Sequence, residues 1–109
     1  MDAIGSAVDT LGDRWTLLIL RDVILHDRRY FRALLLGSPE GIASNILADR
    51  LVKLVEAGIL VRGTAARGAR ARYSLTETGL RTVPVIRALA DWGGETVEID
   101  EDELRERHL

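Results

Sequence analysis

Cysteine is absent from the 109 residues. That excludes disulfides, thiolate metal sites, nucleophilic thiol chemistry and thiol-based redox sensing for this chain. Histidine is scarce: His26 falls in a turn-like stretch and His108 near the end of the chain. Both read as surface residues, without metal-ligand spacing or a cysteine partner. No glycine motif follows a strand pattern and opens a helix as a phosphate loop would, and the scattered acids are accounted for by helix caps and surface. The sequence therefore points away from an enzyme, with no cofactor and no metal site expected. Long apolar runs are missing too. The longest, Trp15 to Leu20, meets Arg21 and Asp22 at once, far short of the ~20 residues needed to cross a bilayer. Met1 does not open onto a basic segment followed by an apolar signal region, so the expected location is the cytoplasm, with no membrane partner.

What is present fits one folded domain. Hydrophobic residues make up 47% and charged residues 29%, and the apolar ones recur at structured spacings. The formal net charge of -2 looks unsuited to a nucleic-acid partner until it is divided along the chain. From Glu95 onward seven acids face only Arg105 and Arg107, whereas between Arg28 and Arg72 nine basic residues face Glu40, Asp49 and Glu56. A phosphate backbone responds to that local field rather than to the total.

Ile4, Val8 and Leu11 share one face of a short first helix ending near Gly12. Asp13 can cap a second helix, Arg14 to about Leu25, apolar nearly all round and so expected at the centre of the fold. Phe31, Leu34 and Leu35 give a brief third helical pattern. After the break at residues 37–41, a helix begins near Ala43 or Ser44, buries Leu47, Leu51, Leu54 and Val55, and stops at Gly58. The runs Ile59 to Arg62 and Arg70 to Leu75 read as a hairpin, with Ala71, Tyr73 and Leu75 on one face and Arg70, Arg72 and Ser74 on the other. Thr76 reads as the cap of one long helix to about Trp92, kinked or interrupted by Pro84. The expected division is a folded domain over 1–93 and an acidic tail or short helix over 94–109.

This order predicts a mainly α fold with a small β-hairpin (α+β), a winged helix-turn-helix. Such a helix fits the major groove of double-stranded DNA, and a basic hairpin beside it can lie on phosphates or in the minor groove. The candidate contacts on the helix are Ser44, Asn45, Ala48, Asp49, Arg50 and Lys53, and on the wing Arg67, Arg70 and Arg72. Helix capping remains open for Ser44 and Asn45. Asp49 is favoured as a local ion pair or solvated residue, and Arg50 stays open between phosphate anchoring and packing its stem on the core.

Leu11 to Arg21 (LGDRWTLLILR), Tyr30 to Leu34 (YFRAL), Gly41-Ile42 leading to Leu47 to Leu51 (LADRL), and Tyr73 to Thr76 (YSLT) with Gly79, Pro84 and Trp92-Gly93 appear in order. Over Ile4 to Gly93 the chain resembles the HxlR-type regulators of bacteria, a winged-helix family. The resemblance implies a homodimer joined through its first and last helices, a palindromic operator, and repression or activation of a nearby gene. Two departures stand out. Many members carry a cysteine just before the first helix, a redox or electrophile sensor in some of them, and this chain has none. Ala43 stands where the family often has Ser, which moves the expected cap to Ser44. Dimerisation has separate physical support, because Ile4, Val8, Leu11, Ile86, Leu89 and Trp92 offer more apolar surface than so small a core can cover; the alternative is that Ile86, Leu89 and Trp92 pack inward. Two further readings stay open: a winged-helix protein-protein interaction module without DNA binding, and a small-molecule effector at the dimer interface lined by Trp15, Trp92 and Leu89.

Overall fold

Asp2 starts the first helix by accepting a hydrogen bond from the Gly5 N–H at 2.6 Å. The computed structural model describes residues 2–65 and 69–109. Helix α1 (Ala3–Leu11) ends at Gly12 as its pattern predicts, yet none of its residues is buried. Asp13 caps α2 (Arg14–His26), accepting from the Thr16 N–H at 3.0 Å. Ile19, Leu20, Val23 and Ile24 of α2 are buried, so this helix forms the middle of the core. Helix α3 (Phe31–Gly37) contributes Leu34, and α4 (Ser44–Glu56) contributes Leu47, Leu51 and Leu54. Gly58 ends the α4 region at φ 73°, in the left-handed region that glycine enters without steric cost. The cap of α4 differs from expectation: Ala43 occupies it without a side-chain hydrogen bond, and Ser44 is the first helical residue.

The hairpin consists of β1 (Leu60–Arg62) and β2 (Tyr73–Leu75), antiparallel, with Leu60 opposite Leu75 and Arg62 opposite Tyr73. Both strands are shorter than the runs that predict them. The outer edge of β2 turns instead to the segment before α3: the Tyr73 N–H donates to the Arg29 carbonyl at 2.7 Å, and Arg72 bridges to Tyr30. The alternation holds, with Tyr73 and Leu75 buried and Arg70 and Arg72 exposed.

Thr76 caps a helix as expected, but the helix is only α5 (Glu77–Leu80), and α6 (Val83–Trp92) follows after a break at Arg81 and Thr82. Pro84 sits in the first turn of α6, where a missing N–H costs nothing. The acidic end of the chain contains α7 (Glu101–His108), capped by Asp100 and packed on α5 and β2, with Leu104 buried. His108, expected at the surface, is only 7% exposed. Its Nδ1 accepts a hydrogen bond from the Leu75 N–H at 2.9 Å, closing the edge of β2 beside Arg29.

Candidate nucleic-acid interface

Ser44, Asn45, Ala48, Asp49 and Lys53 are exposed on α4, and Arg50 is half-buried. Asp49 pairs with Arg50 at 2.9 Å and with Lys53 at 3.2 Å, the local ion pair favoured for it. Arg50 also donates from Nε and Nη2 to both oxygens of Asp13, at 2.9 and 3.1 Å. The choice left open for Arg50 is therefore replaced by a third role, a clasp on the cap of α2. That hydrogen bond, first among several, holds the Asp13 carboxyl well below the usual carboxylate range. A second clasp steadies the turn before α4: Arg21 grips both oxygens of Glu40 at 2.7 Å, and the Glu40 pKa falls to about 2, mainly from those hydrogen bonds.

On the wing, Arg70 and Arg72 are exposed and make no ion pair among the described residues. Arg70 lies over the Tyr30 ring, 4.7 Å from its centre. Arg67 lies outside the described residues. A cleft of about 400 Å³ opens between α3 and the hairpin, lined by Phe31 and Tyr73 and rimmed by Arg32, Arg62 and Arg70. Arg32 and Arg62 count toward the basic stretch, but nothing local in the sequence marks them. Only the pairing of Arg62 with Tyr73 and the packing of α3 beside the wing bring them together. Two other basic residues of that stretch are structural. Arg29 is buried, donating to the Tyr73 carbonyl at 3.1 Å and to Ser74 Oγ at 2.6 Å, and Arg28 pairs with Asp22 at 3.1 Å.

Of the residues expected on a dimer face, Ile4 and Trp92 are 76% and 90% exposed, Val8 and Leu89 are exposed, and Leu11 is half-buried. Ile86 is a correction: at 4% exposed it packs into the core of the single chain. A groove of about 560 Å³ runs between α2, α6 and residues 95–98, lined by Leu17, Leu18, Leu25, Ile86 and Leu89. Neither Trp15 nor Trp92 lines it. Among the described residues no cluster of three metal-ligating side chains occurs, and no helix is long and apolar enough to cross a membrane.

The profile of the HxlR-like helix-turn-helix family matches residues 10–101. An HTH-type transcriptional regulator of Mycobacterium bovis is 37% identical over 95 residues, covering 86% of this chain and 58% of that protein. The chain thus spans less than two thirds of the length of this curated relative. Among solved structures, PA1607 is 34% identical with a TM-score of 0.76, over 85% of this chain and 63% of that one. The reduced form of the transcriptional regulator YodB from Bacillus subtilis is 29% identical with a TM-score of 0.67, over 85% of this chain and 91% of that one.

Proposed function

The chain belongs to the HxlR-like helix-turn-helix family, and we propose that it regulates transcription by binding double-stranded DNA, as a homodimer on a palindromic operator. The observation that carries this reading is the cationic cleft of Arg32, Arg62 and Arg70, with Arg72 exposed close by, on the hairpin that follows α4. Side chains free of carboxylate partners can replace the counterions of a phosphate backbone, which makes affinity fall steeply with salt. In this reading α4 enters the major groove with Ser44, Asn45, Ala48 and Asp49 nearest the base edges. The wing, with Arg67, Arg70 and Arg72, lies on the flanking backbone or in the minor groove.

The homodimer rests on α1, a capped amphipathic helix that buries none of its residues within one chain. Pairing it and the Leu89 and Trp92 face of α6 with a second copy removes that apolar surface from water. Two α4 helices then address half-sites about 34 Å apart, one helical turn of DNA. The apolar groove beside Leu89 supports a second element, a small-molecule effector acting where α6 meets the dimer face.

Measuring Kd against salt on duplexes selected from a randomised pool tests the reading. A steep linear fall in log affinity with log salt is expected, flattened in a variant carrying Arg70→Ala and Arg72→Ala. Absence of binding to any duplex at low salt overturns it and leaves an interaction module for a protein partner.

A further inference from the structure

We infer that the half-site read by this chain is centred on A·T base pairs, recognised by Asn45 on adenine and by Ala48 and Val52 on thymine methyl groups. This rests on the DNA reading above and adds the class of sequence read. Guanine is read in the major groove chiefly by Arg or Lys at O6 and N7. Helix α4 carries two cations, Arg50 and Lys53. Arg50 is held by Asp13 and Asp49, and Lys53 is paired with Asp49. Lys53 and Arg50 also line the groove between α1, α2 and α4, together with Asp9, Asp13 and Glu56. Among the described residues each cation of this helix has a carboxylate partner, and the Arg50 guanidinium is held by two of them.

The neighbouring stripe has a different chemistry. Ser44, Ala48 and Val52 follow at four-residue spacing and so lie along one line of the helix, with Asn45 beside them. Val52 is 56% exposed, a branched apolar side chain facing outward on a helix whose buried stripe is already complete. The thymine C5-methyl is the apolar group that a base pair presents in the major groove, and contact with small apolar side chains is how it is read. Among the described residues the Asn45 amide makes no side-chain hydrogen bond within the chain. That leaves its oxygen and nitrogen free for the bidentate pairing that adenine N6 and N7 offer.

The test uses the full chain and has two stages. Selection from a randomised duplex pool is expected to enrich half-sites with A·T pairs at their centre. Each selected thymine is then replaced in turn by deoxyuridine, which removes the methyl group and keeps the hydrogen-bonding pattern. At one or two positions Kd is expected to rise about fourfold, the worth of one buried methyl, and Val52→Ala should abolish the sensitivity at one of them. Val52 lies outside the core, so the variant keeps its fold, which circular dichroism checks. Enrichment of G·C pairs at the half-site centre, or an unchanged Kd across every deoxyuridine substitution, overturns the inference and leaves DNA binding standing. Failure to bind any duplex at low salt removes the DNA reading and this inference with it.

Discussion

The Arg50 guanidinium closes on both oxygens of Asp13, at 2.9 and 3.1 Å, and ties the middle of α4 to the start of α2. Asp13 also accepts from the Thr16 N–H, so one carboxylate caps a helix and fixes where its neighbour lies. Asp13→Ala is expected to lower stability by about 1 kcal/mol through the lost cap alone, and Asp13→Asn by less, since the amide oxygen still caps. Denaturant unfolding measures both. If α4 is positioned through this clasp, the variant combining Asp13→Ala with Arg50→Ala should lose less than the sum of the single losses.

Arginines of one charge divide into two kinds, and substitution should separate them. Arg29→Ala leaves the Tyr73 carbonyl and Ser74 Oγ without their buried donor, a cost of about 1–3 kcal/mol in thermal or chemical unfolding. Arg62→Ala, at the rim of the wing cleft, should leave stability unchanged and reduce the salt slope of duplex binding by about 1. A salt slope untouched by Arg62→Ala would remove this residue from the interface.

Much of this arrangement is legible in the sequence because its causes are local. Asp13 before an apolar helix, Gly58 after an amphipathic one and alternation around Tyr73 each announce themselves within a few residues. What is not legible depends on distant partners. Arg29 and His108 look like surface residues until the outer edge of β2 packs against both and turns their polar atoms inward. The break between α5 and α6 is hidden for the same reason. Thr82, in the gap, is buried and donates its hydroxyl to the Gly79 carbonyl at 2.7 Å, an arrangement that periodicity alone does not reveal. In the candidate site, the exposed positions of α4 follow from its period, whereas the neutralising of Arg50 and the gathering of Arg32 with Arg62 come from tertiary packing.

Gly79 marks a close approach between α5 and the entry to β1. A Cβ at this position would stand 2.1 Å from the Ile59 carbonyl oxygen, a backbone atom that has no rotamer to escape into. Gly79→Ala should therefore push α5 off the hairpin and cost about 1–3 kcal/mol, read as a lowered melting temperature. An unchanged melting temperature would mean that the junction is loose.

Acid should weaken the fold in two steps. His108 is held neutral, its pKa lowered to about 4 first by burial and then by Arg29, with Arg107 and Arg72 acting in the same direction and Asp27 against them. The unfolded chain binds this proton from about pH 6.5 downward and the folded chain only near 4. Stability is thus complete above 6.5 and declines as pH falls through that window, at up to about 1.4 kcal/mol per pH unit. Glu40 and Asp13 have the opposite charge type but the same direction: their lowered pKa values add stability above the ordinary carboxylate range that is lost as pH falls further. His108→Asn places an amide oxygen near Nδ1 for the Leu75 N–H and has nothing to titrate, so it should flatten the upper window and leave the lower one. Unfolding measured from pH 7 to 3 distinguishes the two, and a slope between 6.5 and 4 that survives in His108→Asn would assign it to another group.

A charge placed on α1 or α6 should report where one chain ends and an assembly begins. Ile4, Val8 and Trp92 are exposed in the single chain, so a carboxylate there costs that chain little. In a dimer sealed by these residues the same carboxylate is buried without a partner, which opposes association. Val8→Glu and Trp92→Glu are expected to give folded monomers in sedimentation experiments, and to weaken duplex binding because two half-sites are no longer held together. Ile86→Glu should behave differently, because Ile86 belongs to the core of one chain. It should unfold the protein at any concentration rather than shift an association equilibrium. If Val8→Glu and Trp92→Glu sediment like the parent chain, the apolar faces of α1 and α6 do not join two copies, and the palindromic operator loses its structural basis.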